Sequence, residues 1–159
     1  MDKVAIREAL VARLRAEADK ARASADETRK GATHEESRAE NDKDTRGLEA
    51  SYLARGQAMR VEELEEAITR VRVMPIPDLR KRPIGLGAVV DAVIDEDDER
   101  TFFLAPAGGG EKLDVDGAVI HVVTPASPVG RALVGRRADD ELELKIAGRV
   151  RLYEILEVH

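Results

Sequence analysis

The stretch HEESRAENDKD, residues 34–44, concentrates the side chains best suited to chemistry. Its eleven residues hold five carboxylates: Glu35, Glu36, Glu40, Asp42 and Asp44. Carboxylate oxygens are hard ligands of the kind that Mg²⁺ prefers. Acidic clusters are also common on solvated faces at the end of a helical hairpin. The pattern therefore leaves both a metal-directed role and a plain surface role open.

The rest of the composition excludes several other kinds of site. The sequence has no cysteine, which excludes disulfides and thiolate metal sites. Its histidines, His34, His121 and His159, are too scattered to suggest a site. The net charge of −6 argues against non-specific clamping of DNA or of an anionic membrane. No run approaches the roughly 18 apolar residues of a membrane span, and a signal-peptide pattern is missing, so we expect a cytoplasmic protein.

The first half of the chain has the pattern of two long helices. Residues 1–72 contain no proline and are rich in Ala, Arg, Glu and Leu, which are good helix formers. Mostly apolar or small residues recur there at steps of three and four: Ile6, Leu10, Leu14, Ala18, Ala21, Ala25 and Thr28, then Gln57, Val61, Leu64, Ile68 and Val71. Leu48, Tyr52 and Leu53 extend the second stripe backwards. Each stripe is narrow, as in a helix with a single partner. We predict an antiparallel coiled-coil hairpin over residues 1–74, with the acidic stretch at or beside its far end.

Three prolines, Pro75, Pro77 and Pro83, mark residues 75–84 as a linker. The following part, residues 85–159, has the pattern of short strands, at 87–94, 101–105, 118–125, 141–146 and 150–158. DEDDER at 95–100 and Ala147-Gly148 are the expected turns. SPVGRALVG at 127–135 is the one expected helix, with Ser127 as its N-cap and Pro128 in its first turn. The fold class is therefore α+β, with an antiparallel sheet and one short helix.

This second half resembles the C-terminal domain of the Gre family of bacterial transcript-cleavage factors, GreA and GreB. The resemblance rests on Ser127-Pro128, Arg131-Ala132-Leu133, Gly135, Asp140-Glu141-Leu142 and Tyr153-Glu154-Ile155. RVEELEEAI at 60–68 is also similar to the second coiled-coil helix of that family. The order of the segments fits over almost the whole chain.

The resemblance implies a fold, a partner and a mechanism. A Gre factor has a coiled coil and an FKBP-like domain that docks at the secondary channel of RNA polymerase. Acidic residues at the tip of its coiled coil then help to hold a Mg²⁺ ion of the polymerase, which hydrolyses backtracked RNA. The factor is an accessory protein rather than an enzyme, binds no cofactor stably and contacts the RNA 3′ end only indirectly. Any direct contact with DNA or RNA in the elongation complex would be weak, and we expect a monomer.

The acidic stretch departs from the family pattern, in which Asp and Glu stand three residues apart at the tip. Glu40 matches one of the two in either alignment, but its partner is replaced by Lys43 or by Ser37. Glu36 or Asp44, each one helical turn from Glu40, could substitute. Glu40, Glu36 and Asp44 are therefore the candidate metal ligands. A regulator or inhibitor that occupies the secondary channel without supporting cleavage is the alternative.

Two further expectations concern the second half. Ser127, Pro128, Arg131 and Leu133 are the candidate partner-binding residues, although Leu133 could equally belong to the core and Arg131 is the one we expect to be exposed. An FKBP-like peptidyl-prolyl isomerase is disfavoured, because such pockets are built from aromatic residues. Only Phe102, Phe103 and Tyr153 are available in this half.

Overall fold

The computed structural model describes the backbone of residues 1–38 and 45–159, and the side chains of residues 1–31 and 47–159. Two long helices precede a six-stranded sheet that carries one short helix. The helices are α1 (Lys3–Arg38), α2 (Thr45–Val73) and α3 (Pro128–Leu133). The strands are β1 (Val89–Ile94), β2 (Asp98–Leu104), β3 (Lys112–Val115), β4 (Ala118–Val123), β5 (Glu141–Ile146) and β6 (Arg149–Val158). The predicted combination of a helical hairpin with an α+β second half is confirmed.

Local chemistry explains where the two long helices begin and end. Asp2 caps α1, since its Oδ1 accepts hydrogen bonds from the backbone N–H groups of Val4 and Ala5 at 2.9 and 3.1 Å. Helix α2 ends at Val73, just before Pro75, which cannot donate a helical hydrogen bond. Neither of these helices nor α3 carries, among the described residues, an apolar stretch able to cross a membrane.

Chain contacts divide the protein into two compact units. One, the sheet unit, comprises Met1–Arg13 and Thr69–His159; the other, the hairpin unit, comprises Leu14–Ile68. The sheet unit therefore includes the first residues of α1 and the last residues of α2 as well as all six strands.

Within the hairpin unit the helices pair as predicted. Leu14, Ala18, Leu64 and Ile68 are buried in the seam. Polar pairs join the two helices along its length: Arg22 Nη2 to Glu65 Oε1 at 2.9 Å and Gln57 Nε2 to Ser24 Oγ at 2.8 Å. These pairs match earlier residues of one helix with later residues of the other, as an antiparallel arrangement requires.

The predicted extension of the seam through Leu48, Tyr52 and Leu53 is wrong. These side chains are 55%, 62% and 59% exposed. Successive seven-residue steps back from Ile68 lead through Val61 to Ala54, which is half-buried, and to Gly47, which is buried. The helical repeat thus determines which residues lie in the seam. In this part of α2 they are the small residues Ala54 and Gly47, where larger side chains were expected.

The sheet is mixed rather than wholly antiparallel, which corrects the sequence prediction. Its strand order is β3-β4-β2-β1-β6-β5, and β2 and β4 run parallel. The reason is β3, a strand missed in the sequence. After β2 the chain runs β3 along the edge of the sheet, and β4 then returns between β3 and β2 in the direction of β2. The other four strand pairs are antiparallel.

The hairpin turns use residues with a positive φ. The acidic turn is shorter than the predicted 95–100, because Asp95 and Glu96, at φ 52° and 71°, reverse the chain and β2 already begins at Asp98. The predicted turn at Ala147-Gly148 is confirmed, with φ values of 50° and 78° that fit a two-residue hairpin loop.

Both faces of the sheet carry buried side chains. On one face Val90, Phe102 and Ile155 pack in a cluster with Leu79, Ile84 and Leu133, the last of these from α3. On the other face Val89, Phe103 and Val122 form a cross-strand row, each at most 2% exposed. Leu10 of α1 lies against Gly108 in the same unit, where an added Cβ would stand 2.7 Å from Leu10 Cδ1. Helix α3 is therefore fixed on a sheet that has buried side chains on both faces.

Candidate functional site

The acidic stretch falls largely outside the described residues. Glu35 and Glu36 lie near the C-terminal end of α1, but only their backbone is described. Glu40, Asp42 and Asp44 lie outside the described residues altogether. The prediction that Glu40, Glu36 and Asp44 approach a metal ion therefore stays a prediction.

The predicted partner-binding residues come together at α3. Ser127 caps this helix: its Oγ accepts from the N–H of Gly130 at 3.1 Å and donates to the carbonyl of Thr124 at 2.8 Å. Pro128 follows as the first helical residue, where its missing N–H costs nothing. The N-cap prediction is confirmed. Ser127 thus determines how the chain turns from β4 into α3.

Gly130 makes this turn possible and was missed in the sequence. A Cβ atom added there would stand 1.9 Å from the carbonyl oxygen of Thr124, which is far inside contact distance. No side chain can occupy this position without moving the backbone. The sequence signal, a glycine directly after Ser-Pro-Val, is too common to be interpreted without the structure.

Leu133 and Arg131 have opposite surroundings. Leu133 is 1% exposed and belongs to the core cluster beneath α3, so it stabilises the position of the helix. Arg131 is exposed, as expected, and its Nη2 donates to the carbonyl of Ala126 at 3.0 Å. Pro128 is also exposed. A partner that reached this corner would meet Pro128 and Arg131 directly, while Ser127 and Leu133 hold them in place.

One group of described residues has the composition of a metal site. Asp91, Glu157 and His159 each offer one ligand atom, and these atoms lie within 4.8 Å of one another. His159 Nε2 is 3.3 Å from Asp91 Oδ2 and 3.7 Å from Glu157 Oε2. The register of β1 and β6, which places Asp91 opposite Glu157, assembles the group, so their distance along the sequence concealed it. A hydrogen bond between the imidazole of His159 and the carboxylate of Asp91 accounts for this arrangement.

The aromatic residues of the second half do not form an open pocket. Phe102, Phe103 and Tyr153 are 4%, 0% and 5% exposed. The rings of Phe102 and Tyr153 pack together, with their centroids 6.3 Å apart. Because all three are core residues, they are not available to line the aromatic pocket of a peptidyl-prolyl isomerase.

Comparison with known proteins gives a consistent result. Residues 80–159 match the family model "Transcription elongation factor, GreA/GreB, C-term". The chain is 35% identical over 112 residues to transcription elongation factor GreA of Mesorhizobium japonicum, which is 69% of this chain and 65% of that protein. It is 31% identical over 99 residues to GreA of Rhodospirillum rubrum, or 62% of this chain and 60% of that protein. The matched part thus spans less than two thirds of either relative.

Among solved structures, that of the transcription factor Gfh1 aligns over 95% of this chain and 94% of its own, at 22% identity and a TM-score of 0.42. Similarity at this level is too low to support a conclusion about fold or function.

Proposed function

Because the chain belongs to the GreA/GreB family of transcription elongation factors, we propose that it binds RNA polymerase and acts on the elongating complex. The observation that carries this proposal is the match of residues 80–159 to the family's C-terminal domain. The sheet unit is the part that docks, at the mouth of the secondary channel. Pro128 and Arg131 contact the polymerase, and Ser127 and Leu133 hold α3 in position beneath them.

The two long helices deliver carboxylates to the active site of the polymerase. At 1.5 Å per residue, the 29 residues of α2 extend over about 44 Å, a length suited to a deep channel. Glu40, with Glu36 or Asp44, then helps to hold a Mg²⁺ ion beside the one that the polymerase already binds. A second ion held there would supply activation of water and stabilisation of the leaving oxygen for hydrolysis of backtracked RNA in the polymerase.

In this mechanism the protein is an accessory factor that acts in the cytoplasm as a monomer. The catalytic site belongs to the polymerase, and the Mg²⁺ ion is shared with it rather than bound stably by this chain. The RNA 3′ end is contacted only indirectly, and other contacts with nucleic acid are weak.

A second candidate function is regulation without cleavage. It is favoured by Lys43 or Ser37 at the position where the family has its second tip carboxylate. A lysine there repels a cation, so the protein would occupy the channel and slow synthesis without completing the metal site.

Transcript cleavage in stalled, backtracked complexes tests this function. With the full chain and Mg²⁺ we expect shortened transcripts, and we expect Glu40→Gln to slow the shortening at least about tenfold, because one ligand charge is lost. Glu49→Gln, an exposed change in α2 outside the acidic stretch, is the matched control and should cleave like the unmodified chain. Slowed synthesis without shortening would support the second function instead. Absence of any effect on the complex would contradict both.

A further inference from the structure

Four cations form an exposed cluster beside α3. Lys81 and Arg82 come from the linker, and Arg136 and Arg137 follow α3; all four are exposed. We call this cluster the basic ridge. It stands out in a chain whose net charge is −6.

Backbone hydrogen bonds bring the two segments of the ridge together. The N–H of Ile84 donates to the carbonyl of Arg136 at 2.7 Å, and the N–H of Gly135 donates to the carbonyl of Ile84 at 2.9 Å. Arg137 Nη1 also donates to the carbonyl of Lys81 at 3.0 Å. Ile84 itself is buried in the core cluster. The cations are therefore held on a fixed scaffold.

The charges of the ridge are not neutralised within the described part of the chain. None of the four side chains makes a salt bridge to another described side chain, whereas the neighbouring Arg80 is paired with Asp78 at 2.6 Å. The carboxylate of Asp140, in the following turn, accepts from the backbone N–H of Arg137 at 2.8 Å and so caps the turn. Four like charges held close together repel one another, and an anionic partner would relieve that repulsion.

The surroundings of the ridge favour a protein over a nucleic acid. Val134, which lies between α3 and the ridge, is 45% exposed, and Leu86 is 38% exposed. Exposed apolar side chains beside a polar rim are typical of a protein–protein interface. Single-stranded nucleic acid is instead gripped by a longer basic groove with aromatic side chains on which bases stack. The aromatic residues of the sheet unit are all buried.

We propose that the basic ridge binds an acidic segment on the surface of RNA polymerase, next to the contact made by α3. This inference rests on the proposed function and names a second contact for it. Charges at the rim of an interface act mainly on the association rate and on its dependence on salt. The ridge would therefore speed docking and fix the orientation of the sheet unit on the polymerase.

The test compares two variants of the full chain that each lose three positive charges. The ridge variant carries Lys81→Gln, Arg82→Gln and Arg136→Gln; Arg137 is kept because its guanidinium bonds to the backbone of Lys81. The control variant carries Arg70→Gln, Lys145→Gln and Arg149→Gln, which are exposed positions of the same unit. Association rates and dissociation constants are measured for core RNA polymerase at low and at high salt.

At low salt we expect the ridge variant to associate roughly tenfold more slowly and to lose most of its salt dependence, while the control changes about twofold or less. Arg136→Glu alone is a second variant, expected to have an effect in the same direction, and thermal unfolding of each variant verifies that it is folded. Equal binding by the ridge variant and the control would contradict the proposed role of the basic ridge but leave the proposed function intact. No binding by the unmodified chain would overturn both. Loss of affinity for a DNA oligonucleotide, with polymerase binding unchanged, would overturn the assignment to a protein partner.

Discussion

At the scale of single residues, Gly130 matters because it lacks a side chain. The approach of α3 to Thr124 leaves no room for a Cβ atom, and α3 presents the proposed contact residues Pro128 and Arg131. The sequence predicted the cap and the first residue of this helix, Ser127 and Pro128, since both act within one turn. It could not predict the role of Gly130, because the backbone that Gly130 meets is positioned by the sheet.

Gly130→Ala should therefore lower the free energy of unfolding by about 3 kcal/mol or more, the range of a severe overpacking change. Gly31→Ala is the control, since an added Cβ at Gly31 in α1 meets nothing within 4 Å. We expect that control to raise the free energy of unfolding by about 0.5–1 kcal/mol, because alanine favours the helix. Urea unfolding measures both. A Gly130→Ala protein as stable as the unmodified chain would show that α3 is not held against Thr124.

His121 is the residue at which we expect a dependence on pH. Burial lowers the pKa of His121 below its usual value of 6.5, and the nearby charges of Arg100 and Lys112 lower it further, against a weaker opposing effect of Asp98. The unfolded chain then takes up a proton at a higher pH than the folded protein does. This contribution to stability is present above about pH 6.5 and is lost as the pH falls towards the folded pKa.

Titration of the His121 ring by NMR should thus give a pKa below 6.5. His121→Gln should remove part of the decrease in stability that the unmodified chain shows between about pH 7 and pH 5. A ring that titrates at or above the usual value, or a variant with an unchanged stability profile, would contradict this assignment.

At the scale of elements, periodicity predicted more reliably than residue type. The hairpin seam was correct from Leu14 to Ala18 and from Leu64 to Ile68, where apolar residues follow the helical repeat. The prediction was wrong at Leu53, because this apolar residue does not lie on the helical repeat that forms the seam. Strand β3 was missed because it has only four residues and two of them, Lys112 and Asp114, are charged and exposed. The parallel pairing of β2 and β4 follows from β3, so it could not be predicted without that strand.

The seam is tested by two leucines of the same helix. Leu64 is 4% exposed and Leu53 is 59% exposed. Leu64→Ala should lower the free energy of unfolding by about 2–4 kcal/mol through the cavity that it leaves. Leu53→Ala should change it by less than about 0.5 kcal/mol. Urea unfolding followed by far-UV circular dichroism measures both, and similar losses for the two variants would show that Leu53 is packed after all.

At the scale of the whole molecule, the change in composition near residue 73 coincides with the end of α2 at Val73. The contacts group the chain into a hairpin unit, Leu14–Ile68, and a sheet unit that includes Met1–Arg13. Composition could not have assigned Met1–Arg13 to the sheet unit, because these residues are helical like those that follow. The two proposed tasks, docking and delivery of carboxylates, belong to different units. A variant of one unit should therefore affect its own task first.

We propose that residues 34–44 reach the metal site of RNA polymerase. Replacement of the active-site Mg²⁺ by Fe²⁺ generates hydroxyl radicals that cut any polypeptide close to the ion. With an end-labelled full chain bound to the polymerase, we predict cuts within residues 34–44 and none within 85–159. Cuts within residues 85–159, or a bound chain that is not cut at all, would contradict this proposal.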